Sequence, residues 1–161
     1  MPLPRNFKLD ADKRARLGTQ LLRLAKRYER ALTDRLARWN LAPTHYEILK
    51  VLYAAPDYAM THSQLGAAMG VTLPSITLAV RKLGTLKLVG AQRGQDKRSR
   101  IVSLSVKGAE LLSMLYETYE AFAEDLFTAI PDRSAKAMED SIGLLLSRLT
   151  AMEEARTASA A

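Results

Sequence analysis

Seven cationic side chains, Arg81, Lys82, Lys87, Arg93, Lys97, Arg98 and Arg100, share residues 81 to 100 with one carboxylate, Asp96. A block of that density repels itself, so it is either a solvated disordered tract or a surface matched to a polyanion. Leu83, Leu86, Leu88 and Val89 precede its second half, and Ile101, Val102 and Leu104 follow it. That interleaving favours an ordered element presenting charge, with nucleic acid ahead of a merely solvated face. The charge is unevenly spread elsewhere. Residues 1 to 40 carry eleven basic and four acidic groups, whereas residues 106 to 161 carry five and ten.

Other chemistry finds few residues to work with. The chain has no cysteine, which removes thiolate zinc sites, disulfides, thiol nucleophiles and thiol redox sensing together. His45 and His62 stand seventeen apart without supporting thiols, and neither a Gly-x-Ser-x-Gly elbow nor a phosphate-binding glycine loop occurs. The carboxylates of the C-terminal third are scattered among apolar heptads, as on a solvated face. The expectation is a protein that is not an enzyme and has no metal and no cofactor.

The elements that must position the basic block can be read from periodicity. The 161 residues, 48% hydrophobic and 25% charged with net charge +7, suit one domain of ordinary size, or one domain with helical extensions. No stretch approaches the roughly eighteen apolar residues of a membrane span, and Met1 to Lys8 lead into charge. A soluble, cytoplasmic protein that does not engage membranes is expected. Leu17, Leu21, Leu24, Tyr28, Leu32, Leu36 and Trp39 step by three and four, which predicts one amphipathic helix over residues 9 to 39, ended by Asn40 and Pro43. A second helix follows and stops before Pro56.

Thr61 is placed to cap a short third helix ended by Gly70, and Thr72 to cap a fourth with Pro74 in its first turn. Leu65, Ala68 and Met69 form the inner face of the third helix, and Ile76, Val80 and Leu83 that of the fourth; the pair makes a helix-turn-helix. The period then changes. Residues 88 to 93 and 100 to 104 predict a β-hairpin whose tip, residues 94 to 99, is polar and cationic. Ser105 is placed to cap a fifth helix with Leu112, Leu115, Tyr119, Phe122 and Leu126 on one stripe. A sixth carries Met138, Ile142, Leu145, Leu149 and Met152, with residues 157 to 161 frayed.

These features define a mainly α, α+β chain: a winged helix-turn-helix over residues 43 to 105, and a long-helix dimerisation region from residues 9 to 40 and 106 to 155. The terminal stripes are wider than one small winged domain needs, so a C2 homodimer is favoured over an intramolecular bundle.

The ordered set Thr61 to Gly66, Gly70 to Thr77, Leu88-Val89, Asp96-Lys97-Arg98, Val102 to Ser105 and Lys107-Gly108 resembles the multiple-antibiotic-resistance regulator (MarR) family of bacterial winged-helix repressors. The resemblance covers about residues 10 to 155. Its most specific part is the wing's Asp-x-Arg followed by the Leu-Ser/Thr-x-x-Gly opening of a helix. It implies a dimer on double-stranded DNA with a pseudo-palindromic operator, the fourth helix in the major groove and the wing arginine in the minor groove. Release by a small aromatic or anionic effector is implied too. Gly84 and Lys87 depart from the family pattern, which usually has an acidic residue and Gly there, so the end of the fourth helix is expected to fray or to be capped differently.

The expected DNA-binding residues are Thr72, Leu73, Pro74, Ser75, Thr77 and Arg81 on the fourth helix, and Arg93, Lys97, Arg98 and Arg100 on the wing. Thr77 and Arg81 share a face at i and i+4. A threonine methyl can meet a thymine methyl, and arginine can fork onto guanine or hold phosphate. Arg98 on a hairpin tip suits a narrow minor groove; Asp96 either orients it or simply forms the turn. Trp39, His45 and Tyr46, with Arg23, Lys26 and Tyr116 nearby, are the candidate effector contacts. The alternatives are core packing for Trp39 and Tyr46 and, for His45, a capping or surface position near Pro43. Two other functions stay open: an effector-independent architectural DNA binder, and a helical protein interaction module.

Overall fold

The structure, a computed structural model, describes residues 12–93 and 100–159, and only the backbone of residues 92 and 93. Helix α1, Lys13–Leu36, begins where the Asp12 carboxylate accepts the Arg14 amide at 2.8 Å. The expected start at residue 9 lies outside the described residues. A 3-10 turn, Ala37–Trp39, finishes it, and Asn40 turns the chain at φ 56°. Asparagine tolerates that left-handed conformation better than most residues do.

Helix α2, Pro43–Ala54, has its proline in the first turn. A three-residue strand β1, Ala59–Thr61, leads into α3, His62–Met69, and α4, Leu73–Thr85. Thr61 and Gln64 make a reciprocal cap: the Gln64 amide donates to Thr61 Oγ1 at 3.2 Å, and the Thr61 amide to Gln64 Oε1 at 2.8 Å. Gly70, at φ 64°, closes α3. Thr72 occupies the cap position of α4, but its hydroxyl lies 3.0 Å from Ser75 Oγ and bonds no backbone amide, so the expected side-chain cap is absent.

Strands β2, Val89–Arg93, and β3, Arg100–Leu104, form the hairpin; its tip, with Asp96, Lys97 and Arg98, lies outside the described residues. The sheet is antiparallel with order β1-β3-β2, so β3 is central and β1 adds a strand that periodicity did not predict. Three residues are too few to show alternation; β1 exists because Met60 finds Val102 across the ladder. Helix α5, Val106–Phe127, follows, and then α6, Asp132–Ser159. Residues 157 to 159, expected to fray, are helical.

Gly84 and Lys87 act together at the end of α4. Lys87 takes φ 60°, its amide donates to the Gly84 carbonyl at 2.9 Å, and the Leu88 amide donates to the Leu83 carbonyl at 3.0 Å. This is a Schellman ending with lysine in the position glycine usually fills, so the helix is capped and not frayed. A side chain in the left-handed region costs about 1 kcal/mol. Lys87→Gly is therefore expected to stabilise the protein by about that amount, read as a higher urea midpoint with an unchanged slope.

Contacts divide the chain into two compact units, one through Tyr119 and one from Glu120. Thus α1 and the first part of α5 belong to the same unit as the winged helix. Its core is built from Leu36, Ile48, Leu49, Leu52, Leu65, Ile76, Leu83, Leu88, Val102 and Leu115. The apolar stripe of α1 is split: Leu32 and Leu36 are buried, whereas Leu17, Leu21 and Leu24 are exposed. In the second unit, Ile142, Leu145, Leu149 and Met152 of α6 are exposed as well.

Candidate nucleic-acid interface

Helix α4 separates into two faces. Ile76, Ala79, Val80 and Leu83 are buried, while Thr72, Leu73, Pro74, Ser75, Thr77, Leu78 and Arg81 are all exposed. Water thus meets two large apolar side chains, with Leu73 50% and Leu78 60% exposed, beside a guanidinium. Neither Arg81 nor Arg100 forms an ion pair among the described residues.

The wing adds charge to the same region. Arg93 and Arg100 are Cα partners at the mouth of the hairpin. Arg100 also acts on His62 at the start of α3, whose pKa is pushed below the ordinary imidazole value by burial first and this arginine second. His62 Nδ1 in turn lies 3.3 Å from Thr77 Oγ1. Three elements therefore meet at this surface: the start of α3, the exposed face of α4 and the base of the wing. Lys97, Arg98 and Asp96 cannot be placed, since they lie outside the described residues.

The six candidate effector contacts are not brought together. Arg23 and Lys26 are exposed on α1, and at 1.5 Å per residue Arg23 sits about 24 Å along the axis from Trp39. Trp39 lies against its neighbour, with the Arg38 guanidinium 3.8 Å from the ring centroid. Tyr46 is buried and stacks on Tyr119 with centroids 5.3 Å apart. Tyr116 belongs to a separate cleft with Lys50 and Tyr53. Helix rise and the rotation of α2 scatter residues that chain order had grouped.

His45 does have the capping role weighed for it: its Nδ1 accepts the Ala42 amide at 2.8 Å. Burial, and next the Lys82 ammonium, lower its pKa, keeping that nitrogen free to accept. His45 also lines an open cleft of about 680 Å³ with Thr33, Asn40, Leu78, Arg81 and Lys82. The cleft joins the α1–α2 junction to the exposed face of α4, with two cations from α4 in its wall.

A second cleft, of about 370 Å³, includes Tyr28, Tyr46, Tyr119 and Lys50. The Tyr28 hydroxyl donates to the Tyr119 hydroxyl at 2.9 Å, and burial, then this bond, drive its pKa well above the ordinary phenol range. The Lys50 ammonium is 5.9 Å from the Tyr119 ring. Sequence reading placed Tyr28 and Tyr119 among apolar stripes and did not single out Lys50. The available signal was a tyrosine at a stripe position, whose hydroxyl needs a partner once buried.

A core packed under a helix-turn-helix, with a small antiparallel sheet as its wing, defines the winged helix class. No family model matches the chain. Among solved structures it resembles the transcriptional regulator BldR from Sulfolobus solfataricus, at 22% identity over 88% of this chain and 99% of that one, TM-score 0.79. It resembles AbsC, a MarR family transcriptional regulator from Streptomyces coelicolor, at 16% identity over 89% and 99%, TM-score 0.79. The MepR–DNA complex of S. aureus is similar at 18% identity over 83% and 97%, TM-score 0.76. The chain has the winged helix fold of the MarR-family regulators.

Proposed function

We propose that this protein is a sequence-specific DNA-binding transcriptional regulator of the MarR kind, a cytoplasmic homodimeric repressor released from its operator by a small aromatic or anionic effector. The observation that carries the reading is α4, whose inner face is wholly committed to the core while Leu73, Thr77, Leu78 and Arg81 are exposed and the guanidinium has no ion-pair partner among the described residues. Exposed apolar and fork-shaped cationic groups on one helix match the methyl and acceptor pattern of the major groove. A solved relative of the same fold is held on DNA, which supports the docking mode.

Selecting bound sequences from a random duplex pool tests the reading. A regulator enriches a motif about a thousandfold or more over nonspecific DNA; an architectural binder enriches none, and an interaction module binds no duplex in a salt-dependent way. Arg81→Ala is expected to cost about 1 to 3 kcal/mol at particular base positions, whereas Arg98→Ala weakens all sites and lowers the salt slope by about one contact. Identical motifs for wild type and Arg81→Ala would remove base reading by Arg81.

For the effector, the cleft of His45, Arg81 and Lys82 is the better place than the dispersed set around Arg23, because it shares a cation with the DNA face. An anion held there competes with DNA for Arg81. Calorimetric titration of benzoate-like and phenolic acids, with and without operator, should show coupling of about 1 to 3 kcal/mol, equal in both directions. Binding that survives His45→Ala and Lys82→Ala unaltered places the effector elsewhere.

A further inference from the structure

We propose that His62 is a specificity-determining positioning residue, which engages the Thr77 hydroxyl in a hydrogen bond to the protein so that Thr77 reads DNA through its methyl group, selecting a thymine. This rests on the reading of α4 as the recognition helix.

The argument starts from proton counting. A threonine hydroxyl has one proton, and Thr77 Oγ1 donates it to the Leu73 carbonyl at 2.9 Å. Its 3.3 Å contact with His62 Nδ1 must then run the other way, with the imidazole donating. His62 is neutral near pH 7, since burial and the Arg100 guanidinium both disfavour the imidazolium. The geometry therefore assigns its single ring proton to Nδ1, which leaves Nε2 as the bare nitrogen. Two hydrogen bonds to one Oγ1 fix χ1 of Thr77. The γ-methyl occupies a different staggered position, roughly 120° away around Cβ.

A free threonine offers either its hydroxyl or its methyl to a base edge and discriminates poorly between them. A threonine with its hydroxyl engaged by its own helix and by α3 offers the methyl. The complementary group in the major groove is the C5-methyl of thymine. Residue 62 is fifteen positions from Thr77 in sequence, and only the packing of α3 on α4 joins them.

The experiment replaces each thymine of the selected operator in turn by deoxyuridine, which removes the methyl and nothing else. Wild type should lose about fourfold in affinity at one position, the scale of one buried methylene. Thr77→Ser should show no such loss, having no methyl. His62→Ala should bind the thymine and uracil operators within about twofold of each other. His62→Asn, whose amide can donate from near the Nδ1 position, should restore the discrimination, and thermal unfolding confirms that each variant is folded. If a motif is selected but no uracil substitution matters, or if His62→Ala discriminates as wild type does, the inference is wrong while the regulator reading stands. If no motif is selected, both fall together.

Discussion

Leu145→Asp is expected to abolish dimerisation and operator binding together while leaving the single chain folded. Ile142, Leu145, Leu149 and Met152 recur at heptad-like spacing on α6 and are 41–55% exposed, and Leu17, Leu21 and Leu24 of α1 are exposed too. We propose a second copy of the chain as their partner, because monomeric proteins seldom leave apolar stripes of this length in water. An unpaired carboxylate placed in such a seam costs several kcal/mol, enough to dissociate a typical dimer. Because Leu145 is already exposed in the chain, the same change has little effect on the folding of one subunit. Sedimentation should report a monomer, circular dichroism a helical content near wild type, and operator affinity should collapse, since two half-sites about 34 Å apart need two joined recognition helices. A variant that still sediments as a dimer removes α6 from the interface.

Gly108→Ala is the substitution expected to damage the fold most. A Cβ at Gly108 would run into the Leu88 carbonyl oxygen, and it would stand 2.9 Å from Leu104 Cδ1. The leucine side chain can turn aside, but the carbonyl cannot. Leu88 O accepts the Ser105 amide at 3.1 Å and the Ser105 hydroxyl at 2.9 Å, and Ser105 Oγ accepts the Gly108 amide at 2.9 Å. The capped start of α5 is thereby clamped to the turn between α4 and β2. Relief of the overlap must break this clamp or move α5 outward, at a cost of about 1 to 3 kcal/mol. Thermal unfolding should show a midpoint lower by several degrees. Gly84→Ala is the control: nothing lies within 4 Å of its Cβ, so the better helix former should leave stability equal or higher. Equal midpoints for Gly108→Ala and wild type would refute the clamp.

Much of the architecture was legible before the structure. Each helix announced itself by a period of 3.6 and by residues with local stopping chemistry: Asn40, Gly70 and the capping hydroxyls of Thr61 and Ser105 all stand where expected. The buried positions of α4 followed from period alone, because one turn of backbone determines which side chains share a face. The cap at Thr72 was misread since a neighbouring hydroxyl, Ser75, competes for the same oxygen.

What periodicity could not supply is how the faces meet. Strand β1 needs β3, forty residues on, before it is a strand. Leu32 and Leu36 of the α1 stripe are core and Leu17, Leu21 and Leu24 are surface, although both parts have the same pattern, because tertiary packing and not period decides which stretch of a stripe is covered. Lys87 adopts a glycine conformation because the Leu83 and Gly84 carbonyls require that turn, whatever its own preference. The effector candidates dispersed and the Tyr28–Tyr119 bond, ninety-one residues apart, emerged for the same cause. Capping and helical period arise within a few residues of backbone, whereas helix rotation and crossing are set by the packing of whole faces. The composition of α4, and the charge around it, were written in the chain; the contact of His62 with Thr77 arises only when α3 packs on α4.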